Sequence, residues 1–226
     1  MALLANRRYL EMIKLVMFDL DGTLVDSSVD ITNALNYAIE PYGLEKLSVG
    51  KTISLVGEGL TRLVEKILGK DNAEILPDAL ERFLHYYSGH LTDFTLPYPG
   101  VRKTLENLSA YRKAVISNKR ESLSRRLLED LDLLKYFDII LGSDSVEERK
   151  PSPKPILHIL TALSLRSDEA VMVGDSNYDI EAGTAAGVRT VAVSYGYRNP
   201  SLLKAADCII DSIGELIPKL KEFDAG

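Results

Sequence analysis

Short apolar runs alternate with amphipathic stretches of helix length from Lys113 to the end of the chain. The apolar runs are residues 114–117, 137–141, 170–173, 190–193 and 208–210. Stretches with apolar residues at helical spacing lie between most of them, including 121–131, 155–162 and 178–186. Strands that alternate with helices are typical of a parallel sheet covered by helices on its faces. The pattern therefore predicts an α/β fold with a doubly wound parallel sheet, a Rossmann-like core.

The first part of the chain interrupts this alternation. Residues 14–18 predict one more strand, but from Ser28 to about Leu91 the apolar positions recur at helical spacing without a convincing strand. The proline and glycine residues within 96–100 mark the return to the sheet. We therefore predict a helical cap domain at 28–94, inserted into a core made of 12–27 and 95–226. Residues 1–11 are predicted to be an N-terminal extension, disordered or left over from an upstream start, since Met12 could also begin the chain.

Composition and charge exclude several classes of function. No apolar run approaches the ~20 residues that a membrane helix needs. The net charge of −6 argues against general nucleic-acid binding, which requires a surplus of basic residues to neutralise phosphates. Cys208 is the only cysteine, so an intramolecular disulfide is impossible and a reducing, cytoplasmic location is expected. The sequence leaves open whether the protein is a monomer or a homodimer.

Polar side chains follow several of the apolar runs or stand in the loops between them. In open parallel sheets, ligands bind outside the carboxyl ends of the strands. These side chains are Asp19, Asp21 and Thr23 after the first run, Ser117 and Asn118 after the second, Lys150 in a loop, and Asp175, Ser176 and Asp179 after the run at 170–173. The pattern predicts one polar site that combines carboxylates, hydroxyls and an ammonium.

Each of these residues also has a simpler interpretation. Asp21 and Gly22 could form a turn, Ser117 could cap a helix, and Lys150 could be a solvated loop charge. Capping does not explain why acidic groups follow the strands, however. If Asp19 and Asp21 end a strand, they face the same side ~6–7 Å apart, and a cation between them is expected.

Four stretches together resemble a known family. DLDGTLVDS at 19–27, ISNK at 116–119, KPSPKP at 150–155 and GDSNYD at 174–179 are similar, in order and in chemistry, to the motifs of the haloacid dehalogenase superfamily of phosphohydrolases. The resemblance covers nearly all of the chain after residue 13, and the inserted helices resemble the mobile cap of that family.

The resemblance implies a reaction and a role for each motif residue. Asp19 would be the nucleophile that forms a phospho-aspartate, and Asp21 the general acid and base with a raised pKa. Lys150 would neutralise Asp19 and the transferring phosphoryl group, while Ser117 and Asn118 would donate hydrogen bonds to its oxygens. Dehalogenase members do not need an acid two residues after the nucleophile, so Asp21 favours phosphate chemistry.

The resemblance also implies a magnesium ion. Its ligands would be the carboxylates of Asp19 and Asp175 and the backbone carbonyl of Asp21, an all-oxygen set of the kind that Mg²⁺ prefers. Asp179 would fix Lys150 or a metal-bound water, and Ser176 and Thr23 would contact the metal ligands without binding the metal themselves.

The substrate is expected to be a small phosphorylated metabolite. Within the superfamily, the first motif and the cap segment look most like phosphoglycolate phosphatases, which implies hydrolysis of 2-phosphoglycolate to glycolate. Gly57, Glu58, Gly59 and Arg62 would form the specificity loop of the cap. Glu58 is unfavourable beside an anionic substrate unless it points away or pairs with Arg62 or another base.

Other activities use the same core residues. A pyrophosphatase, a nucleotidase, and a sugar-phosphate phosphatase or phosphomutase of the same superfamily remain alternatives, because the cap selects the substrate. An alternative of another class is a phospho-aspartate signalling module, which also combines an aspartate cluster with a hydroxyl and a lysine.

Overall fold

The computed structural model describes residues 12–225, so the predicted extension at 1–11 lies outside the described residues. Its strands are β1 (Leu15–Phe18), β2 (Val25–Asp26), β3 (Leu96–Pro97), β4 (Arg112–Ile116), β5 (Ile139–Leu141), β6 (Ala170–Gly174), β7 (Arg189–Val193) and β8 (Cys208–Ile210). Six of them form a parallel sheet in the order β5-β4-β1-β6-β7-β8. Strand β1 is central, and all four of its residues are buried, as expected for a strand covered on both faces.

α-Helices cover both faces of this sheet and also form the segment between β2 and β3. They are α1 (Ser28–Ile39), α2 (Val49–Leu55), α3 (Leu60–Leu68), α4 (Leu76–Gly89), α5 (Val101–Asn107), α6 (Glu121–Asp130), α7 (Lys154–Leu163), α8 (Asn177–Ala186) and α9 (Leu216–Ala225). Val16 and Phe18 of β1 join an apolar cluster with α5, α6 and α9. Leu15 and Met17 point to the other face and pack with α7 and α8. The predicted doubly wound α/β fold is confirmed.

Two short strands were not predicted. β2 and β3 form an antiparallel pair in which Val25 lies opposite Pro97 and Asp26 opposite Leu96. Each strand has only two residues, too few to show an alternating pattern of apolar and polar positions. The predicted strand at 137–141 is also shorter than expected, because Phe137 ends a short turn and pairing with β4 begins at Ile139.

The segment between β2 and β3 is helical, as the sequence indicates. Helices α1 and α4 pack along each other, and α3 packs against α4. Their buried side chains, for example Leu35 and Phe83, belong to the same apolar cluster as Phe18 of the sheet. The division into a cap at 28–94 and a core stays a prediction. Within residues 12–225, no helix combines the length and the apolar character needed to cross a bilayer.

Asp30 fastens the chain where it leaves the inserted helices. Its carboxylate is 1% exposed and accepts hydrogen bonds from Phe94 N (3.0 Å), Thr95 N (2.8 Å) and Thr95 Oγ1 (2.6 Å). These contacts tie the returning segment to the first turns of α1.

Replacing Asp30 with alanine is expected to lower the free energy of unfolding by about 2–4 kcal/mol, because buried N–H groups lose a charged acceptor. Urea unfolding followed by circular dichroism measures this change. Asp93→Ala is the matched control in the same segment, because Asp93 is exposed and, within residues 12–225, pairs only with His90. An unfolding midpoint for Asp30→Ala equal to that of Asp93→Ala would contradict the anchoring role.

Candidate active site

Asp19 and Asp175 meet because β1 and β6 are parallel neighbours. Phe18 pairs with Val173, and the N–H of Asp19 donates to Val173 O (2.9 Å). The residues that follow these strands therefore emerge at the same edge of the sheet. The side-chain Oδ1 of Asp19 accepts from the next backbone amide, Leu20 N (2.7 Å), which orients the carboxylate.

Lys150 lies between two carboxylates. Its Nζ is 2.9 Å from Asp19 Oδ1 and 2.5 Å from Asp179 Oδ1, and it donates to Ile116 O at 2.7 Å. Burial alone lowers the pKa of this lysine, but the charges of Asp179 and Asp19 outweigh burial and raise it. Lys150, 3% exposed, is therefore a buried ammonium directed at Asp19.

Asp175 is held by groups on two loops. Thr23 Oγ1 donates to its Oδ1 (3.3 Å) and Tyr197 N donates to its Oδ2 (2.7 Å). Gly22 and Gly196 both press against this side chain, and a Cβ atom at either position would collide with Asp175. Gly22 also has a φ of +86°, which favours glycine. The glycine of the first motif is thus required by the close approach of Asp175.

Three carboxylates form a compact cluster. One oxygen from each of Asp19, Asp175 and Asp179 lies within 4.8 Å of the others. Burial, and then the charge of Asp179, raises the pKa of Asp175 to about 7. Burial also raises the pKa of Asp19, against the opposing charge of Lys150. The single ammonium does not balance this negative charge, so the cluster favours an additional cation.

Asp21 lines the same cavity as Asp19 but is not a member of this cluster. Its Oδ1 accepts from Ser27 Oγ (2.5 Å) and from Lys119 Nζ (2.6 Å). Lys119 also donates to Tyr87 OH (2.8 Å) on α4. Lys119 has no role in the sequence prediction, although it stands in the ISNK stretch beside Ser117 and Asn118. That position was the available signal for it.

Tyr197 connects Asp175 to the surroundings of Asp21. Its hydroxyl accepts from Ser27 N (2.9 Å), while its backbone N–H donates to Asp175. Tyr197 could not be identified from the sequence, because a tyrosine in the loop after β7 has no spacing relation to either aspartate.

Ser117 and Asn118 follow β4 at the same edge of the sheet. Ser117 Oγ accepts from Lys119 N (3.2 Å). The side-chain amide of Asn118 donates to Gly57 O (2.8 Å) and Lys150 O (3.0 Å). Both amide hydrogens of Asn118 are thus used by carbonyls of the cap segment and of the lysine loop. The Ser117 hydroxyl and the Asn118 backbone N–H are the groups of this pair that a phosphate could use.

Ser176 and Asp179 also cap a helix. Ser176 is the N-cap of α8, and its N–H and Oγ both donate to Asp179 Oδ2 (3.0 and 2.6 Å). The other oxygen of Asp179 binds Lys150. The helix-capping contact and the contact with Lys150 therefore use different oxygens of the Asp179 side chain.

The loop between α2 and α3 lies against the core. Gly57 and Gly59 have φ angles of +127° and +83°, and both line the cavity above Asp19. Glu58 accepts from Tyr178 OH (2.8 Å) and pairs with Lys66. The hydrogen bond from Lys66, and then that from Tyr178, lower the pKa of Glu58.

Glu58 therefore has a basic partner, and that partner is Lys66. Arg62 pairs instead with Glu65 (2.8 Å) on the exposed side of α3 and is not among the residues that line the cavity. Arg198, after β7, donates to the carbonyls of Ser54 (3.1 Å) and Val56. Tyr178 and Arg198 thus connect the inserted helical segment to residues near the carboxyl ends of β6 and β7.

Comparison with known proteins agrees with this geometry. The sequence profile of the haloacid dehalogenase-like hydrolase family matches residues 16–193. The chain belongs to the haloacid dehalogenase-like hydrolases. The matched region includes all four motifs and the whole inserted helical segment.

Relatives of known name cover most of the chain. A phosphoglycolate phosphatase of Chromobacterium violaceum is 42% identical over 219 residues, which span 94% of this chain and 98% of the relative. A phosphoglycolate phosphatase of Aquifex aeolicus is 40% identical over 186 residues, covering 81% of this chain and 86% of the relative. A crystal structure of a "predicted phosphoglycolate phosphatase" from Haemophilus somnus superposes with a TM-score of 0.85 at 29% identity, covering 92% of this chain and 97% of that one.

Proposed function

We propose that this haloacid dehalogenase-like hydrolase is a magnesium-dependent phosphatase that converts 2-phosphoglycolate to glycolate through a phospho-aspartate at Asp19. The observation that carries the proposal is the buried Lys150, whose ammonium bridges Asp19 and Asp179 at the edge of the sheet. The names of relatives up to 42% identical over most of the chain support the substrate. The single cysteine, Cys208, supports a cytoplasmic location.

The two oxygens of Asp19 have different surroundings. All hydrogen bonds that residues 12–225 make to its side chain go to Oδ1, from Leu20 N and Lys150 Nζ. Oδ2 is therefore free to attack phosphorus, and Lys150 offsets the repulsion between the carboxylate and the anionic ester. The Ser117 hydroxyl and the Asn118 N–H would donate to the phosphoryl oxygens.

Asp21 would act as the general acid for the leaving alkoxide. As the ester bond breaks, the leaving alkoxide takes a proton from the Asp21 carboxyl group and departs as an alcohol. In the second half of the reaction a water molecule loses a proton to the Asp21 carboxylate and attacks the phosphoryl group on Asp19. Inorganic phosphate is released, and Asp19 and Asp21 return to their original states. Protons and bonds therefore balance over the cycle.

The donor set fits magnesium. The carboxylates of Asp19 and Asp175 would hold the ion, together with the backbone carbonyl of Asp21 that the resemblance implies. The clustered oxygens and the absence of nitrogen or sulfur donors among them suit a hard divalent cation. When bound, the ion neutralises negative charge on the carboxylates and on the phosphate.

The raised pKa of Asp175 predicts how the ion changes stability with pH. Between the ordinary value of 3.8 and about 7, the folded protein keeps a proton that the unfolded chain loses. The stability of the metal-free protein therefore falls as pH rises through this interval. Magnesium replaces that proton, so it should raise the melting temperature more at about pH 8 than at about pH 5.5.

Thermal unfolding with magnesium or with a chelator, at both pH values, measures this effect. A ligand at 100 times its dissociation constant adds about 2.7 kcal/mol, a shift of several degrees. Asp175→Asn has no titrating group at position 175. This variant should lose most of the rise in melting temperature that magnesium causes, and most of the pH dependence of that rise. An equal magnesium response of the unsubstituted protein at both pH values would contradict the prediction.

The proposed activity is tested by a substrate panel. Values of kcat/KM for 2-phosphoglycolate, pyrophosphate, sugar phosphates and nucleoside monophosphates are compared in magnesium and after chelation. We expect 2-phosphoglycolate to give the highest value and the chelator to remove turnover. A higher kcat/KM for pyrophosphate, a nucleotide or a sugar phosphate would reject 2-phosphoglycolate as the substrate in favour of that compound. A long-lived phosphoprotein that releases no phosphate would contradict the enzyme itself.

A further inference from the structure

Lys119 lines the same cavity as Lys150, and its side chain is largely inaccessible to solvent. The side chain of Lys119 is 8% exposed, and its Nζ is 2.6 Å from Asp21 Oδ1. Lys150 contacts Asp19 and Asp179, whereas Lys119 contacts Asp21 alone among the carboxylates of the described chain. The nucleophile and the proposed acid/base thus each have an ammonium of their own.

The contacts of Asp21 leave one of its oxygens open. Ser27 Oγ (2.5 Å) and Lys119 Nζ (2.6 Å) both bind Oδ1. No hydrogen bond from any residue between 12 and 225 reaches Oδ2. Two donors on one oxygen restrict the rotation of the carboxyl group, and Asp21 lines the same cavity as Asp19.

The position of Lys119 is in turn fixed from the inserted helices. Tyr87, a buried residue of α4, accepts a hydrogen bond from Lys119 Nζ (2.8 Å). The ammonium also lies 5.1 Å from the centroid of the Tyr87 ring, within the range of a cation–π contact. Lys119 lies in the loop that follows β4 and Tyr87 lies in the inserted helices, so the arrangement around Asp21 depends on both parts of the chain.

We propose that Lys119 is a positioning residue that, braced by Tyr87, holds Asp21 with Oδ2 directed at the leaving oxygen of the substrate. The inference rests on the proposed function and adds residues that the motif resemblance does not assign. It requires that losing Lys119 impair proton transfer to the leaving group without impairing capture of the phosphate.

Leaving groups of different basicity separate this role from others. 2-Phosphoglycolate is an alkyl ester whose alkoxide must be protonated as it leaves, whereas p-nitrophenolate leaves without a proton. The ratio kcat/KM reports only the steps up to the departure of the leaving group, so it isolates this difference. For Lys119→Met we expect kcat/KM on 2-phosphoglycolate to fall ~30-fold and on p-nitrophenyl phosphate by less than ~3-fold.

Companion variants make the comparison decisive. Asp21→Asn should show the same selective loss, more strongly. Lys119→Arg, which keeps a cation, should recover most of the alkyl-ester activity. Tyr87→Phe keeps the ring and removes only the hydroxyl. Its kcat/KM should also fall more on 2-phosphoglycolate than on p-nitrophenyl phosphate, but by a smaller factor than in Lys119→Met. If Lys119→Met does not fold, as judged by circular dichroism, Tyr87→Phe and Lys119→Arg decide the question by the same ratio.

Two results would overturn the inference. Equal losses on both esters would mean that Lys119 supports the structure or binds phosphate. A loss on 2-phosphoglycolate that appears as a KM increase of more than ~3-fold would mean that Lys119 binds the substrate carboxylate instead.

The two proposals fail in different ways. If the unsubstituted enzyme prefers another alkyl phosphate, 2-phosphoglycolate is rejected as the substrate. The preferred ester then takes its place in the comparison, and the role of Lys119 is still tested. If it cleaves no phosphate ester, the proposed function has failed, and the role of Lys119 with it.

Discussion

Asp19→Asn is expected to reduce kcat on 2-phosphoglycolate by at least ~10⁴-fold while the protein stays folded. An amide oxygen is a poor nucleophile, and the substitution keeps the shape of the side chain and its acceptor for Leu20 N. Removing one of three clustered carboxylates also relieves repulsion, so no loss of melting temperature is expected. Phosphate release and mass spectrometry of the intact protein measure turnover and the phospho-aspartate.

The matched control is Asp26→Asn, in the same motif. Asp26 is exposed, and its contacts are with Ser28 N (3.1 Å) and Tyr197 OH (3.3 Å). This variant should keep kcat within ~3-fold of the unsubstituted enzyme. Turnover in Asp19→Asn equal to that in Asp26→Asn would reject Asp19 as the nucleophile.

Lys150→Met is expected to lower both stability and activity. Methionine fills a similar volume but leaves Asp19 and Asp179 buried without their shared cation. Loss of one partner from a buried ion pair costs about 3–5 kcal/mol, and proton uptake by the carboxylates would bring the change toward the lower end. In the proposed mechanism Lys150 also offsets repulsion between Asp19 and the phosphate ester, so kcat/KM should fall ~10³-fold or more.

Lys154→Met is the control for this substitution. Lys154 lies in the same KPSPKP stretch, but its partners Glu147 and Glu148 are on the surface. Urea unfolding and steady-state kinetics of both variants separate a buried charge from an exposed one. If Lys150→Met matched Lys154→Met in both measurements, the central role of Lys150 would be wrong.

The convergence of Asp19 and Asp175 could be predicted from the sequence because both residues directly follow strands. Asp19 follows β1 and Asp175 follows β6, and the parallel pairing of these strands brings both to one edge. The apolar runs that predict the strands thus also predict which side chains converge. Strand ends and motif spacing are local features, so they can be read without knowing how helices pack.

Contacts between distant elements could not be predicted in this way. Tyr87 on α4 contacts Lys119 from 32 positions away in the chain, and Tyr197 contacts Asp175 from the loop after β7. Glu58 gained Lys66 as its partner, eight positions away, because α3 and its preceding loop set that distance. Helical spacing indicates which face is buried, but not which side chain on another element it meets.

The pairing of β2 with β3 has a consequence for how the enzyme could be rebuilt. Val25 lies opposite Pro97, so the chain leaves the sheet for the inserted helices and comes back at adjoining positions. A foreign segment whose ends are equally close could be transplanted between these two points without rethreading any strand of the sheet. Asp30 would have to be transplanted along with a new graft, or replaced by an equivalent acceptor, because it secures the second of the two junctions.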